Sequence, residues 1–406
     1  MNAELQNDIE ALTDTVKRFT LERIAPHVAQ WDEAGEFPRA LYREAAALGL
    51  LGLGYPEELG GTPAPFALRN AVSIAMSRHA GSGGLMASLF SLNIGLPPVL
   101  RHGSKEVQQE VVPPVLRGER IAALGITEPG GGSDVAGIRT TARREGGDWV
   151  INGEKVFITS GMRADWITMA VRTGDAGTKG AGGISMILVP GDAVGLSRSE
   201  LKKMGWWCSD TAHLRMDNMR VPARYLLGEE GGGFKIIMTN FNGERLGMSA
   251  MALGFAQACF DEALDWSRER KTFGAALVER QVIRHKLVDM QMRIASTQAW
   301  LDAVTARADA GEQNWGQIPI SPLALPANGQ AKLESDPNFV AQVCMLKNHA
   351  TQTMQFCADQ AVQILGGMGF MRGTKCERIY REVKVMMIGG GAEEIMKELA
   401  ARQLGL

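Results

Sequence analysis

The stretch DWVINGEKVFITSG, residues 148–161, interrupts a chain that otherwise reads largely as helix. Its Val, Ile, Phe and Thr residues favour strands, and Asn152-Gly153 lies between two β-prone runs. Asn-Gly is the strongest short hairpin signal, because both centre positions of a type I′ turn need positive φ. A hairpin turning at Asn152-Gly153 is therefore expected. Downstream, WITMAV (166–171), GISMILVP (183–190) and AHLRMDNMRVP (212–222) are short, β-rich and bounded by Gly, Asp or Pro. Residues 121–233 thus read as one β domain, a small barrel or sandwich.

On either side the period changes. Leu5, Ile9, Leu12, Val16 and Phe19 recur at steps of four and three, which places one apolar stripe on a helix. Helical patterns continue to about residue 118, broken by GYPEELGGTPAP (54–65) and GLPPVL (95–100). Residues 1–120 are expected to form a helical domain. From Phe234 helical periodicity returns, giving a second helical bundle over 234–406. The Pro-, Gly- and Asn-rich segment at 310–338 reads as a long loop within that bundle.

Bulk properties narrow the function. With 45% hydrophobic and 22% charged residues, the 406-residue chain has the composition of a soluble, multi-domain globular protein. A net charge of −2 gives no electrostatic case for nucleic acid or an anionic membrane. There is no apolar run long enough for a membrane span, and the acidic start MNAELQNDIEALTD lacks a signal-peptide layout. A cytoplasmic protein is expected. Cys208, Cys259, Cys344, Cys357 and Cys376 are scattered, with no CxxC and no His at metal-ligand spacing. Reduced thiols and no metal site follow.

Several glycine-rich motifs carry more. GITEPGGGSD (125–134) is neither a Walker loop nor a dinucleotide fingerprint. Its backbone N–H groups and the Thr127 and Ser133 hydroxyls suit a polar cofactor edge, or simply a surface turn. RERKTFG (268–274) joins a basic helix end to Phe273, as a solvated C-terminus also does. QILGGMGF (363–370) ends a helix in glycines, as an ordinary C-cap does. Trp206 and Trp207 in MGWWCSD suit a ligand channel or domain packing equally. Taken in order, TEPGGGSD, FITSG, KMGWWCSDT, RERKTFG, QILGGMGF and a glycine loop before a terminal helix make the chain resemble the acyl-CoA dehydrogenase flavoenzymes. The resemblance runs from about residue 5 to 404, apart from 310–338.

That resemblance implies a mostly α fold: an N-terminal helical domain, a central β domain and a C-terminal four-helix bundle. It implies FAD, an acyl-CoA substrate, electron-transfer flavoprotein as partner, and a homotetramer. Ile126, Thr127 and Ser133 would line the flavin and thioester, and Phe157, Ile158 and Thr159 would close over the flavin face. Arg270, Phe273, Gln281, Gln363, Gly366 and Gly367 would touch the FAD of a neighbouring subunit, and Glu394 would be a further cofactor contact. Ser133, Arg245 and Gly390 would hold substrate. The implied reaction, a step of fatty acid β-oxidation, removes an α-proton to a carboxylate while a β-hydride leaves for the flavin, giving a trans-2-enoyl-CoA. The same fold also serves flavin oxidases or monooxygenases, and a catalytically inactive flavin- or CoA-binding protein is the other alternative.

The base has two possible homes. Many family members carry it in a Glu-Gly-Thr loop before the terminal helix, where this chain has Gly390, Gly391 and Ala392. Gly390 can still offer its N–H to the thioester oxygen, while Ala392 removes a hydroxyl from the flavin side. Glu393 and Glu394 fall beyond the loop, where a helix dipole commonly stabilises a carboxylate. The isovaleryl and long-chain branch instead uses a Glu-Arg-Leu 26 residues ahead of the Arg of R-x-x-F-G. Glu244-Arg245-Leu246 stands at that distance from Arg270, so Glu244 is the expected base. A helix starting near Gly243 would lower its pKa and burial would raise it, with burial expected to win.

Overall fold

The computed structural model describes residues 3–174, 180–312 and 337–406. Helices, then a sheet, then helices follow one another along the chain. The chain forms two compact units. One comprises Met1–Gln30, Pro65–Gly83 and Asn242–Leu406, and the other Trp31–Ala64 and Gly84–Phe241. Secondary-structure class changes near the expected boundaries at 120/121 and 233/234, but packing gathers the first helices with the last ones.

The first unit is helical: α1 (Ala3–Phe19), α2 (Phe66–Ala80), α3 (Gly233–Glu269, which enters this unit at Asn242), α4 (Gln281–Glu312), α5 (Pro337–Leu365), α6 (Lys375–Ile388) and α7 (Glu393–Leu404). Asp309 on α4 caps α2, accepting from the backbone N–H of Phe66 (2.6 Å) and Ala67 (3.0 Å). Asn70 donates to Thr305 at 2.9 Å between the same helices. Gly254 lets α3 approach α2 closely, since a Cβ there would lie 2.5 Å from the Ile74 carbonyl oxygen. The C-terminal helix α7 packs on α5 through Ala341, Cys344, Met396 and Ala400. Because α4 extends to Glu312 and α5 begins at Pro337, the loop expected at 310–338 lies, apart from its ends, outside the described residues.

The second unit is built on one eight-stranded sheet: β1 (Ala122–Gly125), β2 (Thr141–Glu145), β3 (Asp148–Thr159), β4 (Trp166–Arg172), β5 (Ile184–Pro190), β6 (Leu196–Glu200), β7 (Thr211–Pro222) and β8 (Leu226–Leu227). The order is β6-β7-β3-β2-β4-β5-β8, with β1 parallel to β4.

The hairpin expected at Asn152-Gly153 is not there. The chain turns instead over Gly146-Gly147, where Glu145 faces Asp148, and β3 runs on through Asn152 and Gly153. Gly153 lies opposite a bulge: β7 carries one extra residue here, with Asn218 at φ +46°, and a Cβ on Gly153 (φ +143°) would sit 2.6 Å from the Thr140 hydroxyl. A close approach within a strand and a tight turn need the same residue, so Asn-Gly does not tell them apart. A second register shift falls between Lys155 and Ile158. It puts Phe157 at φ +63° and leaves the residue 68% exposed.

A buried ion pair braces this bulge. Lys155 is 0% exposed, and its Nζ donates to the Glu128 carboxylate at 2.8 Å and to the Ile126 carbonyl at 2.9 Å. Glu128 also accepts from the backbone N–H of Arg139 (2.7 Å) and Thr140 (2.9 Å). The glycine-rich segment 125–134 is thereby tied to β3, as is also seen in the Val156 N–H to Thr127 carbonyl bond of 2.9 Å. All five cysteines are free and buried. No single described helix is long and apolar enough to cross a membrane.

Candidate active site

Glu244 lies inside α3, about three turns past its start, because the helix begins at Gly233 rather than near Gly243. The macrodipole acts mainly within the first turn, so the expected lowering of the Glu244 pKa by a helix start does not apply. Burial governs instead. Although the residue is partly exposed, its Oε2 is sealed from solvent and has no hydrogen-bond partner among the described residues. Burial pushes the carboxyl up to about 7, against the lowering charges of Arg245 and Lys347.

The carboxylate faces the glycine loop that joins α6 to α7. Gly390 and Gly391 have φ of +66° and +113°, conformations that side-chain-bearing residues rarely adopt. A Cβ on Gly390 would lie 3.6 Å from Glu244 Oε1 and 2.7 Å from Met248 Sδ. The volume into which a loop side chain would project is thus taken by two residues of α3. Arg245 Nε donates to the Gly390 carbonyl at 3.0 Å. Lys347 Nζ donates to the carbonyls of Met387 (3.0 Å) and Gly391 (2.9 Å).

The loop glutamates have other partners. Glu393 accepts from Lys397 (2.7 Å) and Gln352 (2.6 Å), and these bonds hold its carboxyl below the usual range despite some burial. Such a paired carboxylate makes a poor base at neutral pH. Glu394 faces solvent at the start of α7.

Arg270, Phe273, Gln281, Gln363, Gly366 and Gly367 are all exposed. Phe273 is 100% exposed, at φ +52°, in a short ribbon between α3 and α4. Trp266 and Glu269 share a cleft with Leu365 and Met368, so the helix end bearing Arg270 adjoins the Gly366-Gly367 turn. A bond from Lys286 to Gln360 joins the beginning of α4 to the end of α5. A Cβ on Gly366 or Gly367 would meet nothing within 4 Å.

In the sheet unit, Phe157 stands beside the 125–134 segment. The hydroxyls of Thr127 and Ser133 make no hydrogen bond among the described residues, and the space around Gly130 and Gly131 is open. An outward aromatic ring, bare glycine backbone and two uncommitted hydroxyls fit the face and polar rim of a flavin. Ile126 and Ile158 are buried, so any contact from them is made by backbone rather than side chain; Thr159 is half-buried. Trp207 donates to the Lys203 carbonyl at 3.0 Å, and Trp206 packs on Gly84.

Sequence patterns did not point to Lys155, Glu128, Met248 or Lys347. The one local cue was Lys347 itself, within the apolar face of VCMLKNHA, where a lysine needs buried partners.

Profiles of the acyl-CoA dehydrogenase N-terminal, middle and C-terminal domains match residues 6–119, 123–219 and 231–405. The mitochondrial long-chain specific acyl-CoA dehydrogenase of Rattus norvegicus is 34% identical over 96% of this chain and 85% of its own length. Cyclohexane-1-carbonyl-CoA dehydrogenase of Geobacter metallireducens is 35% identical, covering 98% of this chain and 97% of its own. The crystal structure of an acyl-CoA dehydrogenase from Geobacillus kaustophilus matches with a TM-score of 0.88 and 30% identity, over 100% of this chain and 99% of that one.

Proposed function

Because this chain belongs to the acyl-CoA dehydrogenase family, we propose that it oxidises an acyl-CoA to the trans-2-enoyl-CoA with Glu244 as base. The observation that supports this most is the sealed, unpartnered Oε2 of Glu244, on a carboxylate that with Met248 takes up the space a Gly390 side chain would need. Breaking the α C–H bond gives its proton to that carboxylate, and the electron pair left behind forms the double bond as a hydride departs from the β-carbon. The cofactor such a site takes is FAD, whose chemistry is to accept that hydride and hand the electrons on to electron-transfer flavoprotein. Phe157, with Thr127 and Ser133, is suited to hold one side of it. N–H groups of the glycine loop are suited to polarise the thioester oxygen, which makes the α-proton more acidic.

A base buried to a pKa of about 7 binds a proton too tightly to stay charged in acid and is still a competent acceptor near neutrality. The sign follows directly: the carboxylate form is the active one, so the rate rises with pH through about 7 and then levels. Below that point it falls about tenfold per pH unit. Bleaching of the flavin without oxygen, by short, branched, long and aromatic CoA thioesters across pH 5.5–9, tests both activity and substrate class. A flat profile over that range removes Glu244 from the role. Fast reoxidation of the reduced enzyme by air points to the oxidase alternative.

We further propose a homotetramer in which Arg270, Phe273, Gln281, Gln363, Gly366 and Gly367 serve the cofactor of a neighbour. Their joint exposure supports this. Phe273→Asp is expected to yield smaller species by light scattering and to lose flavin on gel filtration. A flavin-replete tetramer from that variant contradicts the arrangement.

A further inference from the structure

Lys347 is 0% exposed in the middle of α5 and has no part in the reaction as described so far. A buried ammonium is retained only where its protons are well used. Here they go to two carbonyls at opposite ends of the glycine loop, Met387 (3.0 Å) in the last turn of α6 and Gly391 (2.9 Å) just before α7. Arg245 takes the carbonyl between them, that of Gly390. In a trans peptide the N–H points away from its C=O, so fixing these carbonyls also fixes the loop's N–H directions. Three consecutive glycines have no side chains to do this and the largest backbone freedom to lose.

We propose that Lys347 is a positioning residue of this site, locking the 387–391 loop into its ligand-holding shape and supplying a second positive charge that acts on Glu244. This rests on Glu244 being the base. The charged and titratable groups around Lys347 are Arg245 and Glu244 from α3, Glu393 from α7 and Cys344 on its own helix. Burial, followed by the Arg245 charge, brings the lysine down to about 8, so most of it is still cationic at neutral pH. Its charge and that of Arg245 both favour the Glu244 carboxylate. The two roles separate by chemistry: the hydrogen bonds shape the loop, and the charge sets where the base titrates.

Lys347→Met removes both, and Lys347→Gln keeps a donor but no charge. In both variants the acid limb of the flavin-bleaching profile is expected to move up by about one pH unit. Amide hydrogen exchange across 388–392 is expected to speed up by about tenfold or more in Lys347→Met and less in Lys347→Gln. An unmoved acid limb with wild-type exchange in both variants overturns the proposal. If wild type is bleached by no thioester, the dehydrogenase assignment fails instead, and exchange alone still decides whether Lys347 holds the loop. Methionine fills the apolar path of the lysine stem, and should Lys347→Met fail to fold, Lys347→Gln carries both readouts.

Discussion

Glu244→Gln lowers the rate at which an acyl-CoA bleaches the flavin by about 10³-fold, within the usual 10²–10⁴ range for losing a general base. Flavin content and melting temperature stay near wild type. The two outcomes belong together because the substitution keeps shape and removes only the ability to accept a full proton. Oε2 has no partner among the described residues, so the fold does not lean on the charge there. A neutral amide in a sealed position is no worse for folding than a carboxyl already pushed toward its protonated form. Glu393→Gln behaves differently. It keeps an acceptor oxygen for Lys397 and Gln352 and loses only the charge, so stability changes little, while bleaching changes by less than about threefold.

Lys155→Ala destabilises the protein by about 3–5 kcal/mol, the range for removing one partner of a buried ion pair. Glu128 would remain buried with only the Arg139 and Thr140 amides to satisfy it, and the Ile126 carbonyl would lose its donor. Differential scanning calorimetry should show the drop. Flavin retention on gel filtration should fall with it, since Lys155 immediately precedes the bulge that presents Phe157. A double change, Glu128→Gln with Lys155→Met, leaves no unpaired charge and recovers part of the loss. A Lys155→Ala protein that melts like wild type would mean that the backbone amides alone suffice for Glu128.

Much of this was legible along the chain because it is local. The stripe Leu5, Ile9, Leu12, Val16 and Phe19 lies on α1, and the β-rich runs at 166–171, 183–190 and 212–222 are strands. Glu244 could be singled out through its spacing from Arg270. Other parts were ambiguous at short range. Asn152-Gly153 suits a strand opposite a bulge as well as a turn, and the α3 start at Gly233 was masked by Gly243, which a long helix tolerates. What stayed hidden depends on contacts between distant residues: Met248 and Glu244 facing Gly390, Lys347 reaching Met387 and Gly391, and Lys155 reaching Glu128. Neither period nor propensity encodes which buried lysine meets which carbonyl.

That the proton is taken by a helix glutamate rather than by the glycine loop's neighbours is tested most directly by α-hydrogen exchange. An acyl-CoA that binds but cannot lose a β-hydride is incubated in deuterium oxide with wild type, Glu244→Gln and Glu393→Gln, and its α-position is followed by mass spectrometry. Wild type and Glu393→Gln should incorporate deuterium at similar rates, and Glu244→Gln should incorporate none above the buffer rate. Exchange that persists in Glu244→Gln and disappears in Glu393→Gln would place the base at the start of α7 and contradict the assignment.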